Sequence, residues 1–314
     1  MAKIEWTEKT WNPIRGCSRV SDGCVNCYAE EIAARFSGPG KPYEGLAKRI
    51  NHDARWTGKV RFIEERLDAP LHWKRPSRIF VNSMSDLFHE KVKDEWIDRI
   101  FAVMATACQH TFQVLTKRPA RMADYAQALV DGLRGLPPVW DAREQRERHW
   151  AGLPPNVWLG VSVEDQATAD ERIPLLLETP AAVRWVSYEP ALGPVDFSSW
   201  LGGGLDWIVV GGESGPGARR FDLAWARQTI AQCRAAGTSV FVKQMGSRPI
   251  VRRHPVPRDG WEPVTGQNGQ PIRLTNTKGG DMAEWPTALR VREYPAAVVP
   301  GPEPRVRLLR TPAH

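Results

Sequence analysis

The chain of 314 residues is 42% hydrophobic and 25% charged, which is the composition of an ordinary folded protein. It has no run of about 18 apolar residues and no apolar signal core at its N-terminus, so we expect no membrane span and a cytoplasmic protein with reduced thiols. The net charge of +7 favours DNA or another nucleic acid as a partner, or else reflects solvated arginine-rich loops.

Three of the five cysteines lie close together near the N-terminus, in the stretch CSRVSDGCVNCYAE that follows the short element TWNPIRGC. Cys17, Cys24 and Cys27 have the spacing C-x6-C-x2-C, and a helix is predicted to begin beside Cys27. Three thiolates without an evident fourth ligand suit a [4Fe-4S] cluster whose fourth iron accepts an external ligand. A zinc site completed by His52 or by another distant histidine is the structural alternative.

Six short β-branched runs follow this loop, each succeeded by polar or glycine-rich residues. They are predicted to be strands, over residues 78–84, 111–117, 157–163, 183–189, 206–212 and 239–245. Helical periodicity lies between several of them, at residues 93–108, 165–178 and 222–236. Apolar strands that alternate with amphipathic helices indicate a parallel sheet covered by helices.

This alternation predicts an α/β fold, as a partial (β/α) TIM-like barrel over residues 1–250. The cysteine loop follows its first strand. An arginine-rich insertion is expected near residues 126–156, and residues 251–314 are predicted to form a loop-rich C-terminal extension.

Carboxylates stand at the C-terminal ends of the predicted strands, the edge where parallel α/β sheets gather their active sites. Such groups bind amino groups or ribose hydroxyls, or exchange protons. We assign Glu189 and Glu213 to catalysis, together with Tyr188, which ends the same strand as Glu189. Asp86 and Glu164 are assigned to cofactor binding, with helix capping as the alternative role.

The turn GGESGPGAR follows the fifth of the six strands, and its glycines allow a phosphate, a carboxylate or a ribose to approach the backbone closely. Gly211, Gly212 and Ser214 are therefore assigned to cofactor binding. Tyr28 and Asn82 are assigned to the same pocket, with simple packing beneath the cysteine loop as the alternative role.

Cations also end strands at this edge, and they have two competing interpretations. Lys117, Arg118 and Lys243 either steer a phosphate backbone towards the mouth of the site or pair with the four strand-end carboxylates. Arg219 and Arg220 follow the glycine-rich turn and favour an anionic ligand there.

Fourteen tryptophans are many for this length. Trp158, Trp185 and Tyr188 are candidates for stacking on a base, although burial in the core is the usual fate of tryptophan. The two remaining cysteines, Cys108 and Cys233, lie on apolar helix faces and are predicted to be buried and inert.

Seven ordered motifs between about residues 3 and 295 resemble a phage-associated family of three-Cys-motif proteins of unknown function. They are CSRVSDGCVNCYAE, VNSMSDLFHE, LTKRPARM, WLGVSVEDQ, SYEPALGP, VVGGESGPGARR and KGGDMAEWP with LRVREYP. The cysteine triplet also resembles the radical S-adenosylmethionine superfamily, whose usual spacing is C-x3-C-x2-C.

The resemblance implies a barrel of the radical-SAM type, a cluster that chelates S-adenosylmethionine, and an external electron donor. An electron from the cluster then cleaves the sulfonium to give a 5′-deoxyadenosyl radical. We therefore predict an iron–sulfur enzyme of this type that acts on a nucleic acid base, as a lyase in DNA repair or as a modification enzyme. The alternatives are a nucleic-acid-binding protein with a structural metal site and an iron–sulfur enzyme that does not use S-adenosylmethionine.

Overall fold

The computed structural model describes residues 4–141, 144–252, 261–263 and 274–296, and its centre is a sheet of seven parallel strands. The strands lie side by side in chain order. They are β1 (Lys9–Trp11), β2 (Arg78–Val81), β3 (Thr111–Thr116), β4 (Val157–Val163), β5 (Arg184–Tyr188), β6 (Trp207–Gly211) and β7 (Ser239–Gln244). All six runs predicted as strands are confirmed.

The α-helices of the described residues are α1 (Tyr28–Arg35), α2 (Asp94–Thr106), α3 (Pro119–Val130), α4 (Gln166–Glu178) and α5 (Leu223–Ala236). A capping box at Asp165 and Thr168 begins α4, and Gly237 ends α5 in the left-handed conformation at a φ of 71°. The three predicted helices are confirmed to within two residues. In the part of the chain that the structure describes, no helix is both long and apolar enough to cross a membrane.

The two faces of the sheet bury different kinds of side chain, because successive residues of a strand point to opposite sides. Val186 and Ile208 belong to the large core that the strands share with α2 to α5. Their neighbours Trp185 and Trp207 lie in a second core on the other face, which also contains Trp6, Phe80, Trp158, Val183, Val209 and Phe241. Tryptophan therefore fills the inner face of the sheet.

This inner core shows that the sheet curls strongly. The ring of Trp6 lies 4.8 Å from Phe80 on β2 and 6.2 Å from Trp207 on β6, measured between ring centroids. In a flat sheet these two strands would stand about 19 Å apart, at about 4.8 Å per strand. One side chain contacts both, so the sheet is a half-barrel wrapped around an aromatic centre.

The predicted TIM-like barrel of the radical-SAM type is wrong. A TIM barrel closes on itself with eight strands, whereas β1 and β7 are the two edges of an open seven-stranded sheet and do not pair with each other. The finding is an α/β fold with an open, all-parallel sheet. The tryptophans supply a physical reason, because their bulk fills the inner face without further strands.

The described part of the C-terminal extension covers the β7 edge. The N–H of Val242 donates to the carbonyl of Val291 at 2.8 Å, and the N–H of Glu293 donates to that of Val240 at 2.9 Å. Tyr294 packs on Trp207 at 5.5 Å between ring centroids. Most of the predicted extension, including residues 253–260, 264–273 and 297–314, lies outside the described residues.

The loops that connect the strands of the sheet contain short strand pairs and 3-10 turns. Two-stranded pairs form between Ile14–Arg15 and Arg61–Phe62, between Ala47–Ile50 and Asp53–Trp56, and between Val139–Asp141 and Arg146–Arg148. Three further strands, Phe221–Asp222, Pro249–Arg252 and Trp261–Pro263, form a small sheet, and 3-10 turns span Asp22–Cys24, Glu64–Arg66, Ala69–His72, Met282–Glu284 and Thr287–Leu289. The region expected as an insertion near residues 126–156 thus contains the end of α3 and one hairpin.

Candidate functional site

The three clustered cysteines line one open cavity at the C-terminal edge of the sheet. Cys17, Cys24 and Cys27 share its wall with residues at the C-terminal ends of β2, β3 and β4, and its volume is about 140 Å³. The sequence-predicted cofactor residues Tyr28, Asn82 and Asp86 line the same cavity.

Local structure fixes where each cysteine stands. Cys17 follows Gly16, whose φ of 97° and contact with the Lys59 carbonyl leave no room for a side chain. Cys24 ends a 3-10 turn, and Cys27 is the N-cap residue of α1. The prediction that a helix begins beside Cys27 is confirmed, so the amide end of that helix adjoins the third thiol.

Burial is the largest influence on the pKa values of two of these thiols. It raises the pKa of Cys17, and the charge of Asp86 adds to this effect. Burial also raises the pKa of Cys27, although the backbone N–H groups of Glu30 and Ala29 act in the opposite direction. Both groups are therefore neutral thiols in the free protein, and binding of a metal would release their protons.

The cysteine loop, residues 17–27, is attached to the sheet through strand-end carboxylates. Asn26 donates to the Glu213 carboxylate at 2.9 Å, and Ser21 donates to Glu164 at 2.9 Å. Sequence reasoning missed Asn26 and Ser21. In the sequence these two residues are marked only as uncharged polar side chains between the cysteines. That feature does not identify a hydrogen-bond partner more than 140 positions away.

Asp86 is fully engaged at the end of β2. It accepts hydrogen bonds from the Thr116 hydroxyl at 2.7 Å and from Arg118 Nη1 at 3.0 Å. The backbone N–H groups of Lys117 and Phe88 add bonds of 3.1 and 2.9 Å. Arg118 also donates to Ser18 Oγ in the cysteine loop at 2.8 Å, so this ion pair connects β2, β3 and the loop.

Glu164 stands at the centre of a second buried cluster. Its carboxylate pairs with Lys117 and, at 3.2 Å, with Arg172 of α4, and both side chains of the latter pair are 1% exposed. Lys117 also donates to Ser162 at 2.9 Å. The N-cap of α4 is Asp165, so helix capping by Glu164 is not its role.

Glu189 and Glu213 also have cationic partners. Glu189 accepts from Lys243 at 2.5 Å, and Glu213 accepts from Arg219 at 2.7 Å. All four strand-end carboxylates are thus paired with the cations of the same edge. This arrangement favours charge pairing over an open ring of phosphate-steering cations.

The remaining predicted site residues lie outside the cavity lining, as do Glu164, Glu189 and Glu213. A Cβ on Gly212 would come 2.7 Å from the Met245 carbonyl and 2.8 Å from Phe221, so packing alone accounts for that glycine. Gly211 and Ser214 belong to the same strand end and also lie outside the lining. Tyr188 is fully buried in the outer core and donates to the Gly193 carbonyl.

The aromatic side chains proposed to stack on a base are enclosed by protein. Trp158 is 6% exposed and Trp185 is completely buried. Of the other cysteines, Cys233 is buried as predicted, whereas Cys108 is exposed because α2 ends before it, at Thr106.

The donor set suits a cluster better than a single ion. Among the described residues, no three His, Cys, Asp or Glu side chains are placed to hold one metal ion. His52 lies exposed at the tip of the 47–56 hairpin, outside the cavity lining. A cluster spreads its ligands over several metal atoms, so thiols that line one cavity can hold it without converging on one point.

Comparison with known proteins gives a family and no function. Residues 1–269 match the family described as Protein of unknown function (DUF5131). No curated protein matches the chain, and no solved structure matches it.

Proposed function

The chain belongs to the DUF5131 family, and we propose that it is an iron–sulfur enzyme of the radical S-adenosylmethionine type that acts on a nucleic acid base. One observation carries the proposal. Three thiols from a single loop line one open cavity, at the edge of a parallel sheet where α/β enzymes place their chemistry.

The residues present fit an anionic cluster in charge as well as in type. Three largely buried cations, Lys117, Arg118 and Arg172, face two buried carboxylates, Asp86 and Glu164. The further ion-pair partners of Arg118 and Arg172 are Glu90 and Glu171, whose side chains are more than half exposed, so water screens these pairs. The buried cations would stabilise thiolates in the cavity wall.

Cys17, Cys24 and Cys27 would hold three irons, and Tyr28, Asn82 and the neighbouring polar residues would bind the external ligand. When bound, the cluster supplies single electrons next to that ligand. The five cysteines are all free thiols, which suits a reducing compartment such as the cytoplasm.

Glu189 is our candidate for proton transfer. Its side chain is 14% exposed, whereas those of Asp86, Glu164 and Glu213 are 8%, 1% and 6% exposed. Lys243 holds it at the end of β5. Glu213 is instead engaged by Asn26 and Arg219, so we assign it to positioning of the cysteine loop.

The net charge of +7 supports nucleic acid as the substrate class. The buried tryptophans add no support, because their faces are not open to a base. Fluorescence anisotropy with a labelled single-stranded oligonucleotide tests this part. The affinity should fall linearly with salt concentration on a double-logarithmic plot, and salt-independent or undetectable binding would contradict it.

Metal analysis after anaerobic purification and reconstitution tests the core of the proposal. Iron and acid-labile sulfide near four per chain are expected, and they should be lost in Cys24→Ala. Cys108→Ala is the matched control, because that thiol is exposed and lies outside the cavity. One zinc per chain would instead support a structural metal site.

The reaction type requires a second assay. The reconstituted protein is reduced with dithionite and supplied with S-adenosylmethionine, and 5′-deoxyadenosine should accumulate. A full complement of iron and sulfide without 5′-deoxyadenosine would favour the iron–sulfur enzyme that does not use S-adenosylmethionine.

A further inference from the structure

Asn82, directly after β2, has one half of its amide satisfied and the other half unpaired. Its Oδ1 accepts a hydrogen bond from the backbone N–H of Ile14 at 3.3 Å. Its Nδ2 is buried and has no hydrogen-bond partner. The residue as a whole is 3% exposed, and it lines the cavity of the three cysteines.

The orientation of the amide is fixed by chemistry. The Ile14 N–H is a donor, so the Asn82 atom that faces it must be the oxygen. The free atom is therefore the NH₂ group, which can only donate. A buried donor without an acceptor is costly, and native proteins rarely retain one without a use.

The backbone at this position carries a second signal. Asn82 has a φ of 61°, in the left-handed region that residues other than glycine seldom adopt. Such conformations concentrate at ligand-binding and active sites. A left-handed backbone, a buried unpaired donor and a cavity wall thus coincide in one residue.

We propose that Asn82 Nδ2 is a ligand-binding donor that recognises an acceptor oxygen, a carboxylate or a carbonyl, of the small molecule bound beside the cysteines. The inference rests on the proposed function and deepens it. An anionic oxygen would give the stronger bond, because hydrogen bonds to charged groups are the strong class. The nearby cations Lys117 and Arg118 line the same cavity.

The decisive variant is Asn82→Asp. Aspartate keeps the acceptor for Ile14 and tolerates a positive φ, but it replaces the free donor with a second acceptor. Asn82→Gly serves as a second variant, since glycine adopts the same backbone conformation and removes the donor without adding charge. Asn156→Asp is the control, because Asn156 Nδ2 already donates to the Met104 and His110 carbonyls at 2.9 and 3.0 Å.

The experiment measures binding by calorimetry to protein reconstituted with iron and sulfide, with iron content and melting temperature recorded for each variant. The probes are S-adenosylmethionine and 5′-methylthioadenosine, which lacks the amino-acid part. Asn82→Asp should bind S-adenosylmethionine at least about tenfold more weakly, at unchanged iron content. Asn156→Asp should lower the melting temperature and leave the affinity of the folded protein unchanged.

The two probes locate the acceptor. If the Asn82 variants lose affinity for S-adenosylmethionine alone, the acceptor oxygen belongs to the carboxylate. If they lose affinity for both probes equally, it belongs to the nucleoside. Unchanged affinity in both Asn82 variants would overturn the inference and leave the proposed function intact. A wild-type protein that takes up iron but binds neither probe also overturns it, whereas one that takes up no iron refutes the proposed function as well.

Discussion

Asn26 Nδ2 donates to the carboxylate of Glu213 at 2.9 Å, which joins the residue before the third cysteine to the end of β6. The same amide donates to the Gly217 carbonyl at 2.8 Å, while Arg219 holds the carboxylate from the other side. One glutamate therefore links the cysteine loop to the glycine-rich turn. Glu213 and Glu164 thus support the cysteine loop in addition to pairing with cations at the same edge of the sheet.

Removal of this support should loosen the cysteine loop. Glu213→Ala leaves the Asn26 amide and the Arg219 guanidinium without their acceptor, at a cost of about 1–3 kcal/mol in the free energy of unfolding. We expect less iron per chain after reconstitution, and urea denaturation measures the loss of stability. Glu178→Ala, at an exposed position on α4, is the control. Full iron loading in Glu213→Ala would contradict the supporting role.

The same contact predicts a dependence of stability on pH. Burial opposes ionisation of Glu213, but hydrogen bonds from Arg219 and Asn26 outweigh it and hold the pKa of this carboxyl below its ordinary value. A carboxyl with a depressed folded-state pKa stabilises the fold above its unfolded pKa of about 4.3, and this contribution is lost as the pH falls through the folded value.

Glu213→Gln isolates this contribution. The difference in unfolding free energy between the wild type and this variant should be constant at neutral pH and should shrink below about pH 4. Chemical denaturation at a series of pH values measures it. A difference that stays constant down to pH 3 would show that the charge of Glu213 contributes nothing.

Gly23 should be intolerant of a side chain. A Cβ there would lie 2.4 Å from Glu164 Oε1, and that carboxylate is fixed by Ser21, Lys117 and Arg172. Gly23→Ala should therefore displace the loop at a cost of about 1–3 kcal/mol. It should also reduce iron uptake.

Gly135→Ala provides the matched control for Gly23→Ala. A Cβ at Gly135 meets nothing within 4 Å, and its φ is not in the left-handed region. Thermal melting and iron content should match those of the wild type. Equal behaviour of the two glycine variants would refute the contact with Glu164.

The inner tryptophans should matter for stability and not for nucleic acid binding. Trp185 is completely buried, and it packs so closely on Gly160 that a Cβ there would stand 2.5 Å from its ring. Trp185→Ala should cost about 3–5 kcal/mol. Trp140→Ala, at a side chain that is 57% exposed, should change stability by less than about 0.5 kcal/mol.

Oligonucleotide binding distinguishes the two roles of tryptophan. The affinity of folded Trp185→Ala, measured by fluorescence anisotropy below its melting temperature, should equal that of the wild type. A selective loss of affinity at unchanged stability would show that the ring reaches a base.

Local patterns of the sequence determined the elements and the place of the site. The six β-branched runs are strands, since alternation along a strand depends only on near neighbours. Parallel strands end at one edge, so Asp86 and Lys117 were expected to meet the cysteine loop before any contact was known. The spacing of the clustered cysteines was enough to identify them as candidate ligands.

Only the tertiary structure decided whether the sheet closes into a barrel and which charged side chains form ion pairs. Whether the sheet becomes a barrel depends on the packing of Trp6 and Trp207 across distant strands, and the sequence carries no local sign of that contact. Whether Glu164 and Glu189 carry free or paired charges depends on Lys117 and Lys243, which lie 47 and 54 positions away on other strands. The unpaired Nδ2 of Asn82 can be recognised only in the folded chain, where the Ile14 N–H donates to Oδ1 and Nδ2 has no acceptor. Hydrogen-bond satisfaction is a property of the folded chain.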